Sequence, residues 1–252
     1  MFDSGLGGLS VLRELVKVFP GERFVYYADT AHCPYGDKDA GYIVERARKI
    51  SMLLMEKGCG IIVVACNTAT AAAISALRSE FGDFPFVGME PAVKPAALCS
   101  KTNVIGVLAT AGTLKGSNYL DLRSRYCGKV KVVEHVGRGF VELVENGILD
   151  GPVAENTVKS SLQPLLDEGA DTIVLGCTHY PFLEKVIAKV ACDNVRIINP
   201  APAVAAQARR VYKTDGTPAR KAPLIEFLSS ADIDIRLRAE SLLGKDFPFE
   251  SV

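Results

Sequence analysis

The segments IIVVACNTAT (61–70) and TIVLGCTHYP (172–181) are two versions of one pattern. Each is a run of β-branched and aliphatic residues that stops at a small residue, then places a cysteine, then hydroxyl or amide side chains. A continuous apolar run of this length is the mark of a strand buried in a parallel sheet, so each cysteine falls where its strand ends. Ligands of open α/β sheets bind at those carboxyl ends. The lead-ins agree: MEKGCG (55–60) and LDEGAD (166–171) each read as an acidic helix end, a capping glycine and a two-residue link. One offset places both Gly58 on Gly169 and Cys66 on Cys177. The chain therefore reads as two related halves, each delivering one cysteine to a ligand cleft.

Outward from these segments, strands and helices alternate. Strands are expected at 24–28, 61–65, 86–89, 103–108, 130–136, 172–176, 195–198 and 224–228. Helices run between them, with Leu12, Leu15, Val16 and Phe19 on one face of the first and Ile43, Ala47, Ile50 and Leu54 on one face of the second. This alternation predicts α/β architecture: two pseudo-symmetric doubly wound domains with mainly parallel sheets and the active site in the cleft between them. The tail after Pro200, a helix, a Lys/Pro/Gly-rich loop, a strand and a final amphipathic helix, is placed by returning it to the first domain. The expected domains are 1–91 plus 203–252, and 92–202. The second half has the strand NVIGVLAT (103–110) before its first turn, whereas only Met1 and Phe2 precede the turn Asp3-Ser4-Gly5. The repeat thus favours a natural start upstream of Met1 over an unusually short first strand.

Composition bounds the function. The 29 basic and 29 acidic residues balance, which gives no electrostatic reason to expect nucleic acid or a membrane surface as partner. No stretch approaches the roughly 18 apolar residues that span a bilayer, and no charged start followed by an apolar segment marks a signal peptide. Seven cysteines without a paired framework suit a cytosolic chain with reduced thiols.

Cys66, followed by Asn67, Thr68 and an alanine-rich helix, should lie against a helix N-terminus. The unpaired N–H groups and positive dipole end there favour a thiolate and can hold a carboxylate. Cys177, followed by Thr178 and His179, occupies the equivalent place. One strand-end cysteine reads as a small core residue; two in register, each followed by polar side chains, favour chemistry. The other five (Cys33, Cys59, Cys99, Cys127, Cys192) read as packing or surface residues.

Four chemistries fit two such thiols. A redox pair lacks C-x-x-C, and a zinc site of Cys66, Cys177, His179 and His32 or Cys33 matches no structural spacing. Cys/His acyl transfer would use His179 as base. Symmetric acid–base work would let one sulfur take a proton from one face of a carbon while the other returns one to the opposite face. Asp3 and Ser4 stand at the first turn, where the glycines fail the dinucleotide pattern because Ser10 replaces the third, and Asp3 reads equally as a capping turn. Pro34-Tyr35-Gly36 is a rigid turn presenting an aromatic hydroxyl and backbone N–H groups. Thr110 and Thr113 mirror Asp3 and Ser4 and read as carboxylate holders or ordinary caps. His135 reads as a satisfied structural histidine within a strand.

FDSGLGG (2–8), DTAHCPYG (29–36), ACNTAT (65–70), GMEP (88–91), GVLAT (106–110) and GCTHYP (176–181) fall in the order found in the glutamate racemases, the cofactor-independent enzymes of the aspartate/glutamate racemase superfamily. The chain resembles that family from Phe2 to Pro202. The resemblance implies an amino-acid racemase that interconverts L- and D-glutamate by deprotonation and reprotonation at Cα, with no cofactor and no metal. It implies Cys66 and Cys177 as the catalytic thiols, acting on D- and L-glutamate respectively, assisted by Asp3 and His179. Its substrate contacts fall on Asp3, Ser4, Tyr35, Gly36, Asn67, Thr68, Thr178 and His179, and more loosely on Glu145. The product would serve bacterial peptidoglycan synthesis in the cytoplasm, and the resemblance leaves room for a homodimer. His32 stands where the family commonly has arginine, and Asn199 where an aspartate often precedes Pro-Ala-Pro. Related aspartate racemases, a cysteine hydrolase or acyltransferase, and a non-catalytic amino-acid-binding protein remain as alternatives.

Overall fold

The computed structural model describes residues 1–212, 222–244, 247 and 250–251. The chain divides into two units, Met1–Met89 with Ala201–Val252, and Glu90–Pro200. The first unit begins with β1 (Phe2–Asp3), α1 (Leu9–Val18), β2 (Arg23–Ala28), α2 (Ala40–Glu56), β3 (Ile62–Val64), α3 (Asn67–Phe81) and β4 (Phe86–Gly88). α1 buries Leu9, Val11, Leu12, Leu15 and Val16. α2 buries Ile43, Ala47, Ile50 and Leu54, one stripe along its length, and Asp39 caps it by accepting from Gly41 N at 2.8 Å and Tyr42 N at 3.3 Å. Alanines at 69 and 73 turn the small side of α3 toward the same core, which also takes in Phe2, Tyr35 and Cys66. Two prospective site residues are thus anchored by core packing, where each fully buried aliphatic neighbour contributes about 1.5–3 kcal/mol.

The second unit carries α4 (Val93–Cys99), β5 (Val104–Ala109), α5 (Ala111–Lys115), α6 (Ser117–Tyr126), β6 (Lys131–Val136), α7 (Phe140–Glu145), α8 (Gly151–Asp167), β7 (Thr172–Gly176), α9 (Glu184–Ala191) and β8 (Arg196–Ile198). Val93, Ala96, Ile105, Val107, Tyr119 and Val174 share one core on its sheet. The chain then rejoins the first unit through α10 (Ala201–Val211), β9 (Leu224–Ser229), α11 (Ile235–Leu243) and β10 (Glu250–Ser251). The Lys/Pro/Gly-rich loop expected beyond Tyr212 falls largely at 213–221, outside the described residues.

Among the described residues every ladder is parallel. The first sheet has the order β10-β9-β2-β1-β3-β4 and the second β6-β5-β7-β8. Within the first, β2-β1-β3-β4 repeats the order of the whole second sheet, so the internal repeat extends to topology. β3 and β7 are corresponding strands, which is why their cysteines correspond. β1 has two residues where its counterpart β5 has six; Phe2 lies opposite both Tyr27 and Val64. The polar loop at 29–37 holds two short turns of 3₁₀ helix, Thr30–His32 and Tyr35–Asp37. His135, expected to be satisfied, is not: its Nδ1 is buried with no hydrogen-bond partner among the described residues.

Candidate active site

In the first unit, β3 ends and α3 begins across Cys66. Cys66 is the N-cap of α3, in extended backbone conformation, and its Sγ accepts from Ala69 N at 3.4 Å. The sulfur therefore takes the place that a serine or aspartate oxygen normally holds, at the positive end of a 15-residue helix. That setting favours thiolate over thiol. The Ser4 hydroxyl lies 3.7 Å from the same sulfur. Asp3 is fully buried, and its Oδ2 accepts from Gly5 N at 3.0 Å. Asp3 thus closes its own turn, while the cap of α1 is Gly8. Tyr26 fixes this turn by donating from its hydroxyl to Gly5 O at 2.7 Å.

Asn67 and Thr68 open α3, both buried. The Asn67 amide has neither donor nor acceptor satisfied among the described residues. A buried amide without partners costs about 1–3 kcal/mol, so it persists where a ligand supplies the missing bonds. The expected Tyr35 phenol takes a different direction. It donates to Asp29 Oδ2 at 2.5 Å, inside the protein, because Asp29 is a buried anion with stronger demand for donors than any neutral neighbour.

In the second unit, Cys177 follows β7 directly, but its surroundings differ from the helix start expected in the place equivalent to that of Cys66. Thr178 and His179 lead into a 3₁₀ turn, Tyr180–Leu183, with Pro181 near its start, and α9 begins only at Glu184. Pro181 supplies no N–H, which shortens the row of donors such a helix start would offer. The sulfur instead meets a side chain: Cys177 Sγ lies 3.6 Å from His179 Nδ1, and His179 Nε2 lies 2.7 Å from Glu145 Oε1 at the end of α7. A carboxylate accepting the Nε2 hydrogen leaves Nδ1 as the basic nitrogen toward sulfur, the same logic that orients a histidine between an acid and a nucleophile. Thr178 and His179 are buried. Thr110 proves to be a cap: its Oγ1 accepts from Thr113 N at 3.3 Å at the start of α5 and lies 3.0 Å from Thr113 Oγ1.

Each unit therefore places a buried thiol beside a supporting group, an anion-stabilising helix start in one and a histidine–carboxylate pair in the other. No two of the seven cysteines are joined in a disulfide. Sequence reasoning missed Asp29, Arg46 and Tyr26, which hold the turns from behind. A signal existed for Arg46, a cation three positions after Ile43 on the flank of an otherwise apolar stripe.

The Asp/Glu/Hydantoin racemase family model matches residues 23–208. A glutamate racemase of Methylococcus capsulatus is 49% identical, over 96% of this chain and 90% of that protein. The chain belongs to the Asp/Glu/Hydantoin racemase family. It is accordingly an isomerase of the amino-acid racemase class. Among solved structures of the family, a glutamate racemase isoform of Bacillus anthracis matches with a TM-score of 0.87 and 31% identity, over 100% of this chain and 95% of that one. The Escherichia coli glutamate racemase in complex with L-glutamate and activator UDP-MurNAc-ala matches with a TM-score of 0.87 and 33% identity, over the same shares. These solved family members thus share this chain's architecture over nearly their whole length. Among the described residues, no helix is long and apolar enough to cross a membrane.

Proposed function

We propose that the protein is a glutamate racemase that moves the α-proton between two thiols, Cys66 and Cys177, without a cofactor. The substrate rests on the near-full-length likeness to glutamate racemases. The chemistry rests on one observation: corresponding strand ends in the two repeats each carry a buried cysteine beside a proton-handling or anion-stabilising group.

In the L-to-D direction, Cys177 as thiolate removes the α-proton, helped by His179 and Glu145, and Cys66 as thiol delivers a proton to the other face. Asp3 assists Cys66, and the roles reverse for D-glutamate. For both thiols to serve one reaction, each unit must address the same α-carbon, a requirement of the chemistry. Asn67, Thr68 and Thr178 bind the substrate's polar groups, together with Ser4 and the Tyr35–Gly36 backbone. Amide and hydroxyl donors stabilise the charge that develops as the proton leaves, in a site that admits little water. D-glutamate would supply peptidoglycan synthesis in the cytoplasm, with the amino acid as the main partner and a homodimer as the expected assembly.

A chiral assay with L-glutamate and no added cofactor tests this reading. D-glutamate should accumulate until the enantiomers are equal. Cys66→Ala and Cys177→Ala should each abolish the conversion, and full activity in either variant would end the two-thiol mechanism. Formation of D-aspartate from L-aspartate, with L-glutamate untouched, would overturn the substrate.

A further inference from the structure

We infer that Asp29 and Arg46 are positioning residues, which clamp the Tyr35 phenol from behind so that the Tyr35–Gly36 turn meets the amino acid with its backbone and not with its hydroxyl. The inference rests on the proposed racemase reading and extends it to residues outside the motif contacts.

Asp29 is 0% exposed and Tyr35 1% exposed. Asp29 Oδ2 accepts from the Tyr35 hydroxyl at 2.5 Å and from Arg46 Nε at 2.9 Å, and Oδ1 accepts from an Arg46 terminal nitrogen at 2.6 Å. The guanidinium thus grips the carboxylate with two parallel bonds, the geometry that arginine holds and lysine cannot. Arg46 itself is fixed by its place on α2, between buried Ile43 and Ala47. Burial alone would raise the Asp29 carboxyl, but hydrogen bonds from Arg46, Tyr35 and Ser230 outweigh it and hold the group below the usual carboxylate range. Burial, and then the bond to that anion, hold the Tyr35 phenol far above its ordinary range, so it stays a donor.

The clamp is braced on two further sides. Asp29 N donates to Asp3 O at 3.0 Å, which ties the loop to the Asp3 turn. At the end of β9, Ser230 Oγ accepts from Ala31 N at 3.0 Å, and Ser229 Oγ lies 2.8 Å from Thr30 Oγ1. The strand added after the repeat therefore buttresses the loop. Asp29 joins Arg46 of α2, the Asp3 turn and the Tyr35 turn, and a buried phenol committed to it has no hydrogen left to donate to a ligand.

The test measures L-glutamate racemisation by the wild type, Tyr35→Phe, Asp29→Asn, their double variant and Arg46→Lys. Loss of positioning should raise KM about tenfold in each single variant while kcat stays within about threefold, because binding common to ground and transition states is what the turn provides. The double variant should be no worse than Asp29→Asn alone, since Asp29 acts through the phenol. Unchanged KM in Asp29→Asn and Arg46→Lys, or independent, multiplying effects in the double variant, would overturn the inference. If Asp29→Asn gives no cooperative thermal transition, Arg46→Lys decides, because it keeps the cation and loses only the two-pronged grip. A wild type that leaves L-glutamate unchanged would overturn the racemase reading itself, before any variant is made.

Discussion

At the scale of single residues, Gly8 shows how tightly the Asp3 turn is held. A Cβ at Gly8 would lie 2.6 Å from Asp3 Cβ and 2.9 Å from the Tyr26 hydroxyl oxygen. The backbone there is right-handed, φ −60° and ψ −13°, so alanine is conformationally allowed and the clash is purely spatial. Gly8→Ala must displace Asp3 or break the Tyr26 bond to Gly5. Displacements of about 1 Å at a reacting site cost about a hundredfold in rate, so kcat/KM of Gly8→Ala should fall by about that factor. Steady-state kinetics beside a thermal melt will check it: a variant as active as wild type would mean that Asp3 is not needed where it stands. Gly137 in the second unit is the counterpart case, since a Cβ there would come within 2.5 Å of the Tyr180 hydroxyl oxygen.

At the scale of elements, the local signals were the legible ones. The helix after Cys66 announces itself by a capping position and a run of alanines, and the strands by their apolar runs. The turn after Cys177 did not read correctly because Pro181 and the 3₁₀ geometry delay the helix to Glu184, and a cysteine followed by Thr-His looks the same in either case. The Asp29–Arg46 pair spans 17 residues and its Ser230 brace comes from the far end of the chain, so no window of sequence joins them. The same contrast marks Asp171, just ahead of β7, which accepts from Lys101 N at 2.6 Å and Thr102 N at 2.9 Å and so pins the entry to β5. Partial burial works against its ionisation, but hydrogen bonds from Ser100, Thr102, Lys101 and Thr172 prevail and lower its pKa from 3.8 to about 2. A depressed folded pKa means that the unfolded chain binds more protons in this window, so stability rises with pH across it. The contribution is complete above about pH 4 and is lost as pH falls toward 2. Urea midpoints measured across this range should fall in the wild type and fall less in Asp171→Asn; equal slopes would show that the carboxylate does not pin the loop.

At the scale of the whole molecule, the two thiols have unlike supports for reactions that must balance. L- and D-glutamate have equal free energy, so kcat/KM is the same in both directions for the wild type and for every variant. A substitution beside one thiol therefore slows both directions in kcat/KM, and its location shows only in which proton transfer limits the rate. Glu145→Gln removes the carboxylate that orients His179, which acts at Cys177 alone in this scheme. General acid–base support of this kind is worth about a hundredfold, so kcat/KM should fall by about that much for both enantiomers. Proton removal from L-glutamate by Cys177 then becomes the slow step. The isotope effect on kcat/KM with α-deuterated L-glutamate should grow, and that with α-deuterated D-glutamate should shrink, relative to wild type. In deuterium oxide, the first product molecules should carry deuterium while recovered substrate does not, because the proton taken by one sulfur is not the one delivered by the other. Isotope effects that change equally for both enantiomers would place Glu145 and His179 in service of both thiols, and the division of labour between the two repeats would have to be redrawn.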